Sequence, residues 1–302
     1  MEYWLGYIDE DPDQMLEVAR AAERAGFEGV ALADHVCVPV RHASRHPSGG
    51  ATPFDHRTPF PDPLVSAASV LASTTSLLAM TYVYVLPMRE PFSVASQVAT
   101  LDRLSGSRFR FGVGAGWLEE EIALLGHPLR GRGPRMDEML EILRAFWTRD
   151  SVEYHGKYFD FEAAGISPRP RRCVPIWVGG RSSAALARAV RQDGWLGMNY
   201  ELPEIHALLE ELGRLLARHR DATGEAKPDF EVFVIPNAEP SESIYEDLAR
   251  RGVTATMGSA WAYGDRGVAS LAAKLDRIGA FGERFIRARG DRRAQGRGPD
   301  RR

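Results

Sequence analysis

Asp34 and His35 stand directly after the apolar run GVALA. A strand that ends in an acid and an imidazole carries both to its tip. A histidine beside a carboxylate titrates near neutral pH, so the pair suits proton transfer, or a hydrogen bond to a cofactor or substrate carbonyl. Capping a loop is the plainer use of the same two residues, and the dipeptide alone does not choose. Three more segments bring chemistry to similar places. RFRFGVGAG, Arg108 to Gly116, is an alternating run that ends in Gly112, Gly114 and Gly116. The missing Cβ atoms would let a flat or phosphorylated ligand approach the main chain, but Trp117 occupies the position where the dinucleotide pattern G-x-G-x-x-G needs glycine or alanine. IWVGGRSSAALARAV joins a strand to a helix through Gly179 and Gly180, and Arg181, Ser182 and Ser183 there offer either an anion site or an ordinary helix cap. TYVYVLPMREP, Thr81 to Pro91, ends a further strand, where Tyr82 and Val83 lie either against a flat ligand or within a core.

Other chemistries find less support. His42 and His46 are four apart with His56 nearby, yet Pro47, Gly49 and Gly50 interrupt any helix that would pair them. A solvated loop and no metal site is the expectation. Neither the G-x-S-x-G turn of a hydrolase nor a P-loop is present.

These segments must be held by elements of a regular kind. β-type runs fall at Tyr3–Ile8, Phe27–Ala33, Leu78–Leu86, Arg108–Val113, Ile176–Val178, Gly194–Met198, Phe230–Ile235 and Val253–Met257. Amphipathic helical stretches separate them, at Pro12–Ala25, Leu64–Ala72, Pro91–Leu104, Arg135–Phe146, Ala184–Arg191, Pro203–Arg218, Ser241–Arg250 and Val268–Phe285. Equal numbers of alternating strands and helices predict an α/β protein, a (β/α)8 TIM barrel in one domain over residues 1–286, with an open doubly wound sheet as the competing fold. Two insertions break the rhythm: 36–63 after the second strand, and 151–175 after the fourth strand and its helices, the latter resembling a hairpin around Gly156. Both are read as candidate pocket walls, or else as plain surface loops. Residues 287–302 are basic and without apolar period, and are expected to be a disordered tail.

Composition narrows the function classes. Hydrophobic residues make up 44% of 302, charged residues 26%, and the net charge is −3, which gives no electrostatic reason to expect nucleic acid or an anionic membrane. Cys37 and Cys173 form neither a C-x-x-C motif nor a disulfide framework. The acidic N-terminus and the absence of a long apolar run point to a cytoplasmic protein.

Taken in order, AAERAGFEGVALADHV, ASQVATLDRLSGSRFRFGVGAGWLEEEIALLG, RGPRMDEMLEILRAFW and PIWVGGRSSAALARAVRQDGW resemble segments of the bacterial luciferase-like flavin and deazaflavin oxidoreductases, over about residues 3 to 200. That resemblance implies a barrel holding coenzyme F420, or alternatively FMN, at its C-terminal mouth. It implies a non-prolyl cis peptide at Tyr82-Val83 behind the ring, contacts from Asp34, Gly114 and Gly116, and a phosphate-bearing arm near Gly179, Gly180, Arg181 and Ser182. His35 and Asp34 match the catalytic acid and histidine of deazaflavin-dependent sugar-phosphate dehydrogenases, but Trp117 replaces the glutamate those enzymes carry after GVGAG. The implied function is an F420-dependent oxidoreductase moving hydride between the deazaflavin C5 and a small organic substrate. The alternatives are an FMN-dependent monooxygenase fed by a separate reductase and a non-catalytic flavin-binding protein. A homodimer is expected by the same resemblance.

Overall fold

In the first strand, Glu2–Tyr7, every second side chain turns inward: Trp4 and Gly6 face the barrel interior, while Tyr3, Leu5 and Tyr7 face the helices. The same alternation recurs round a ring. In this computed structural model, which describes residues 1–7, 10–47, 49, 52–258 and 270–287, the strands are β1 (Glu2–Tyr7), β2 (Gly29–Leu32), β3 (Leu78–Thr81), β4 (Tyr84–Val85), β5 (Phe109–Gly114), β6 (Val152–His155), β7 (Asp160–Ala164), β8 (Ile176–Gly179), β9 (Gly194–Tyr200), β10 (Glu231–Pro236) and β11 (Ala255–Gly258). The helices are α1 (Met15–Ala25), α2 (Pro63–Ser73), α3 (Pro91–Ser105), α4 (Glu119–Leu124), α5 (Arg132–Thr148), α6 (Ser183–Ala189), α7 (Leu202–Thr223), α8 (Glu242–Arg250) and α9 (Leu271–Phe281).

Parallel pairing runs β3-β2-β1-β11-β10-β9-β8-β5, and β5 pairs back onto β3, so the sheet closes. β4 is the continuation of β3 beyond a break and pairs with β5 through Tyr84↔Val113 and Val85↔Gly114. The result is the eight-stranded (β/α)8 barrel that the alternation predicts, with the third strand in two pieces. All ring strands are parallel, so all of their C-terminal ends gather at one mouth.

Large side chains fill the ring. Trp4 packs edge-on against Trp177 (centroids 6.0 Å) and Phe233 (6.2 Å), and Tyr82 lies 5.2 Å from Phe233. This filling needs small partners: Gly29 sits opposite Trp4 in register, and a Cβ there would come 2.4 Å from the indole. Helix starts follow their sequence signals. Asp62 accepts from the amides of Leu64 and Val65 ahead of α2, Glu90 does the same for Phe92 and Ser93 ahead of α3, and a proline opens each helix.

The insertions take different places. The described residues of 36–62 contain no strand or helix and leave the mouth end of β2. Segment 151–175 contains the expected hairpin, with β6 antiparallel to β7. It begins, however, at the C-terminal end of α5 and leads into β8, so it is a helix-to-strand connection on the outside of the barrel. Phe161 stacks on Phe146 (5.9 Å) and meets Phe92 (5.0 Å), while Glu138 of α5 accepts from the amides of Lys157, Tyr158 and Phe159. That packing corrects the pocket-wall reading: Tyr154 gives its hydroxyl to Glu141 on α5, not to the mouth. Residues 8–9, 259–269 and 288–302, including the end of the first expected strand, the start of the last expected helix and nearly all of the basic tail, lie outside the described residues. No helix among the described residues is long and apolar enough to cross a membrane.

One carboxylate ties the first two helical layers together. Glu23 on α1 accepts from the amides of Thr75 (2.8 Å), Ser76 (2.6 Å) and Leu77 (3.1 Å) in the turn before β3. Burial alone would raise its pKa, but these N–H donors hold it at about 2. A carboxyl with a depressed folded-state pKa stabilises above its ordinary value and loses that contribution as pH falls. Glu23→Ala is expected to cost roughly 1–3 kcal/mol at neutral pH, with the gap to the parent closing between about pH 4.5 and 2. Urea unfolding midpoints over that range measure it.

Candidate active site

The mouth is organised round the break in the third strand. The peptide bond between Tyr82 and Val83 is cis, at the position the sequence comparison implies. Tyr82 turns its ring into the barrel core and gives its hydroxyl to the Gly197 carbonyl, and burial pushes that hydroxyl's pKa well above the ordinary tyrosine value. Its ring is therefore not presented to a ligand. Val83, partly exposed, occupies the mouth instead. A Cβ on Gly114 would lie 2.6 Å from a Val83 methyl, and one on Gly179 would lie 2.7 Å from the other. Gly116, at φ +81°, receives Val85 and Ile122 in the same way. The glycines of GVGAG thus make room for the broken third strand, where the sequence suggested open room for a ligand.

Asp34 holds the piece beyond the break. Its Oδ2 accepts from the Val85 amide (2.7 Å) and from Arg89 Nη1 (2.7 Å), and its Oδ1 accepts from Arg89 Nη2 (2.7 Å). Burial pushes the Asp34 pKa upward, and Arg89 and the Val85 amide pull against it. Burial also works against the Arg89 cation, but Asp34 outweighs it and raises its pKa. Arg89 lies over the Tyr84 ring at 4.2 Å, and burial lifts the Tyr84 hydroxyl to about 12. With its side chain 1% exposed and both oxygens engaged, Asp34 is an anchor for the mouth rather than a group offered to a ligand.

His35 is placed differently. Its Nδ1 lies 2.7 Å from Oε2 of Glu121, a buried residue of α4. Among the described residues its Nε2 takes no hydrogen bond, and the ring sits beneath Phe60 (4.7 Å), Phe54 (4.9 Å) and Trp117 (6.0 Å). Trp117 also touches His46 (5.1 Å) and His42 (6.2 Å). No group of three or more metal-ligating side chains gathers among the described residues. The 36–62 loop, which supplies all of these rings except Trp117, is clasped by α4: Glu121 Oε1 accepts from the amides of Val36 (2.6 Å) and Cys37 (3.1 Å), and Glu120 accepts from the amides of Ala43 and Ser44 and from the Ser44 hydroxyl.

On the far side of Val83, Gly180 adopts φ +123° and Ser182 Oγ caps α6 by accepting from Ala185 (3.2 Å). Arg181 is exposed, pairs with Glu204 (2.5 Å) and lies over the Tyr200 ring (5.7 Å). Among the described residues the buried Tyr200 hydroxyl has no well-aligned hydrogen-bond partner, the Met198 main chain lying nearest. Asp34, His35, Tyr82, Val83, Gly114, Gly116, Gly179, Gly180, Arg181 and Ser182 thus all lie at or just beyond C-terminal strand ends. Val83 brings Gly114 and Gly179 together, and His35 sits with Trp117. Glu121 and Arg89 escaped the sequence reading. Glu121 had a signal, since Leu118, Glu121, Ile122 and Leu125 share one helix face, which puts an acid among apolar side chains. Arg89 had none.

A model of the luciferase-like monooxygenases matches residues 3–300. An uncharacterized protein of Mycobacterium tuberculosis is 36% identical over 241 residues, 79% of this chain and 82% of that one. The F420-dependent glucose-6-phosphate dehydrogenase of Amycolatopsis mediterranei is 30% identical over 55% of this chain and 47% of the enzyme. The FMNH2-dependent dimethylsulfone monooxygenase of Pseudomonas putida is 29% identical over 63% of this chain and 49% of the enzyme. Among solved structures, a monooxygenase from Streptomyces bottropensis superposes with a TM-score of 0.74 at 16% identity, covering 96% of this chain and 100% of that one.

Two substitutions test this geometry. Gly114→Ala is expected to lower the melting temperature because its Cβ meets Val83, and Val83→Ala in the same chain is expected to recover most of the loss, as read by thermal unfolding of the single and double variants. Asp34→Ala leaves the half-buried Arg89 unpaired and is expected to cost about 3–5 kcal/mol, with Arg89→Met restoring part of it in a double-mutant cycle.

Proposed function

The chain belongs to the luciferase-like monooxygenase family, and on that premise we propose that it is an oxidoreductase that binds coenzyme F420, with His35 moving the proton that accompanies hydride transfer. The observation that carries this reading is the state of His35: one ring nitrogen is committed to Glu121 while the other is without a hydrogen bond among the described residues, under a wall of aromatic rings. That is how a group meant to exchange protons with a bound molecule is prepared.

The mouth suits a flat cofactor. Val83 stands between the glycines of two neighbouring strands and would back the ring, and the Tyr200 hydroxyl, buried with no well-aligned partner among the described residues, is a polar atom that a polar ligand atom would satisfy. Gly179, Gly180, Arg181 and Ser182 would flank the phosphate-bearing arm, with Arg181 exchanging Glu204 for the anion. When bound, the deazaflavin supplies hydride chemistry at C5, which no side chain can. Asp34 acts in this reading through Val85 and Arg89, holding Val83 in place. Phe54, Phe60 and Trp117 over His35 favour a small apolar organic substrate, and Trp117 takes the place of the glutamate expected for sugar phosphates. We further read the protein as a cytoplasmic homodimer. The relative that uses FMNH2 keeps an FMN-dependent monooxygenase with a separate reductase as the second reading.

Titration with F420 and, separately, FMN, followed by quenching of the six tryptophans, tests the cofactor. Tight F420 binding with weak FMN binding is the expected result; the reverse installs the monooxygenase, and binding of neither removes both. His35→Ala is expected to leave F420 affinity nearly unchanged and to lower turnover of any substrate found by F420 absorbance screening by roughly 10²–10⁴-fold. Full turnover in that variant removes His35 from the chemistry.

A further inference from the structure

We propose that Glu121 is a positioning residue that fixes His35 as its Nδ1–H tautomer, and so makes Nε2 the atom through which protons pass at the mouth. The two oxygens of the carboxylate are assigned by what they face. Oε1 receives two main-chain donors, the amides of Val36 (2.6 Å) and Cys37 (3.1 Å). Oε2 lies 2.7 Å from His35 Nδ1. An ionised carboxylate only accepts, so the hydrogen of that contact belongs to Nδ1, and the lone pair of the neutral ring is left on Nε2. A proton taken up at Nε2 produces an imidazolium whose charge rests against Glu121, a residue 1% exposed and delivered by a separate element, α4. The ring is therefore oriented across two segments, while the aromatic side chains of the 36–62 loop cover its face. That Nε2 serves a reaction rests on the function proposed above; the tautomer does not.

The test is a two-bond proton–nitrogen correlation spectrum of the full chain with labelled imidazoles, at alkaline pH where the rings are neutral, with His35 assigned by its loss in His35→Gln. The expected parent spectrum has a pyrrole-type Nδ1 and a pyridine-type Nε2. In Glu121→Gln the amide oxygen remains with the Val36 and Cys37 donors and the NH2 group turns to Nδ1, so the pattern is expected to invert. Glu120→Gln loosens the same loop at Ala43 and Ser44 without touching His35, and is expected to keep the parent pattern. A pyridine-type Nδ1 in the parent, an unchanged spectrum in Glu121→Gln, or inversion in Glu120→Gln each overturns the proposal. If Glu121→Gln does not fold, the parent spectrum alone decides. Failure of F420 to bind in the titration above, with the expected spectra intact, would remove the cofactor reading and leave the tautomer standing.

Discussion

Much of the mouth hangs on the carboxylate of Asp34. It stands at the end of β2, but all three of its hydrogen bonds go forward in the chain, to the amide of Val85 and the guanidinium of Arg89. Those partners lie just past the break in the third strand. β4 is only two residues long, and its ladder to β5 is too short to hold by itself. With Asp34 on one side and the Tyr82 hydroxyl on Gly197 on the other, Val83 is left one position, against Gly114 and Gly179. Burying an ion pair is costly in itself; here it fixes where a strand resumes.

A second constraint comes from three consecutive glutamates. Glu119, Glu120 and Glu121 look like a solvated helix start, yet each faces different partners. Glu119 reaches Arg132, Glu120 gathers Ala43 and Ser44, and Glu121 gathers His35, Val36 and Cys37. The Ser44 hydroxyl and the Ala43 amide hold Glu120 at about 2, so this clasp stays charged throughout the physiological range. A loop with no strand or helix among its described residues is thereby attached to the barrel near both His35 and Ser44.

The barrel was legible in the sequence because strand and helix periods alternate cleanly, and some helix starts carry a capping acid before a proline, Asp62-Pro63 and Glu90-Pro91 among them. Strand ends placed Asp34, His35, Val83, Gly114 and Gly179 at the mouth. The roles were less legible, since they depend on direction across space. Nothing in ADH says that Asp34 turns toward Arg89 while its neighbour turns toward Glu121, and nothing in GVGAG says that the vacant space is filled by Val83 and Val85 of another strand. The break at Tyr82-Val83 was likewise invisible to periodicity, which read Leu78 to Leu86 as one strand. The 151–175 segment was read as a pocket wall because long loops after strands lie at the mouth, but this one follows a helix, and a connection that follows a helix starts at the opposite end of the barrel.

The tryptophans inside the ring have a consequence for molecular traffic. Trp4, Trp177, Tyr82 and Phe233 pack together across the barrel interior, and glycine at position 29 leaves room for the Trp4 indole. A plugged cylinder has one door. Two molecules that shared this mouth as a cofactor and its substrate would have to pass through it in sequence, the one seated deeper arriving first and leaving last, so the order of exchange would follow from architecture before affinity.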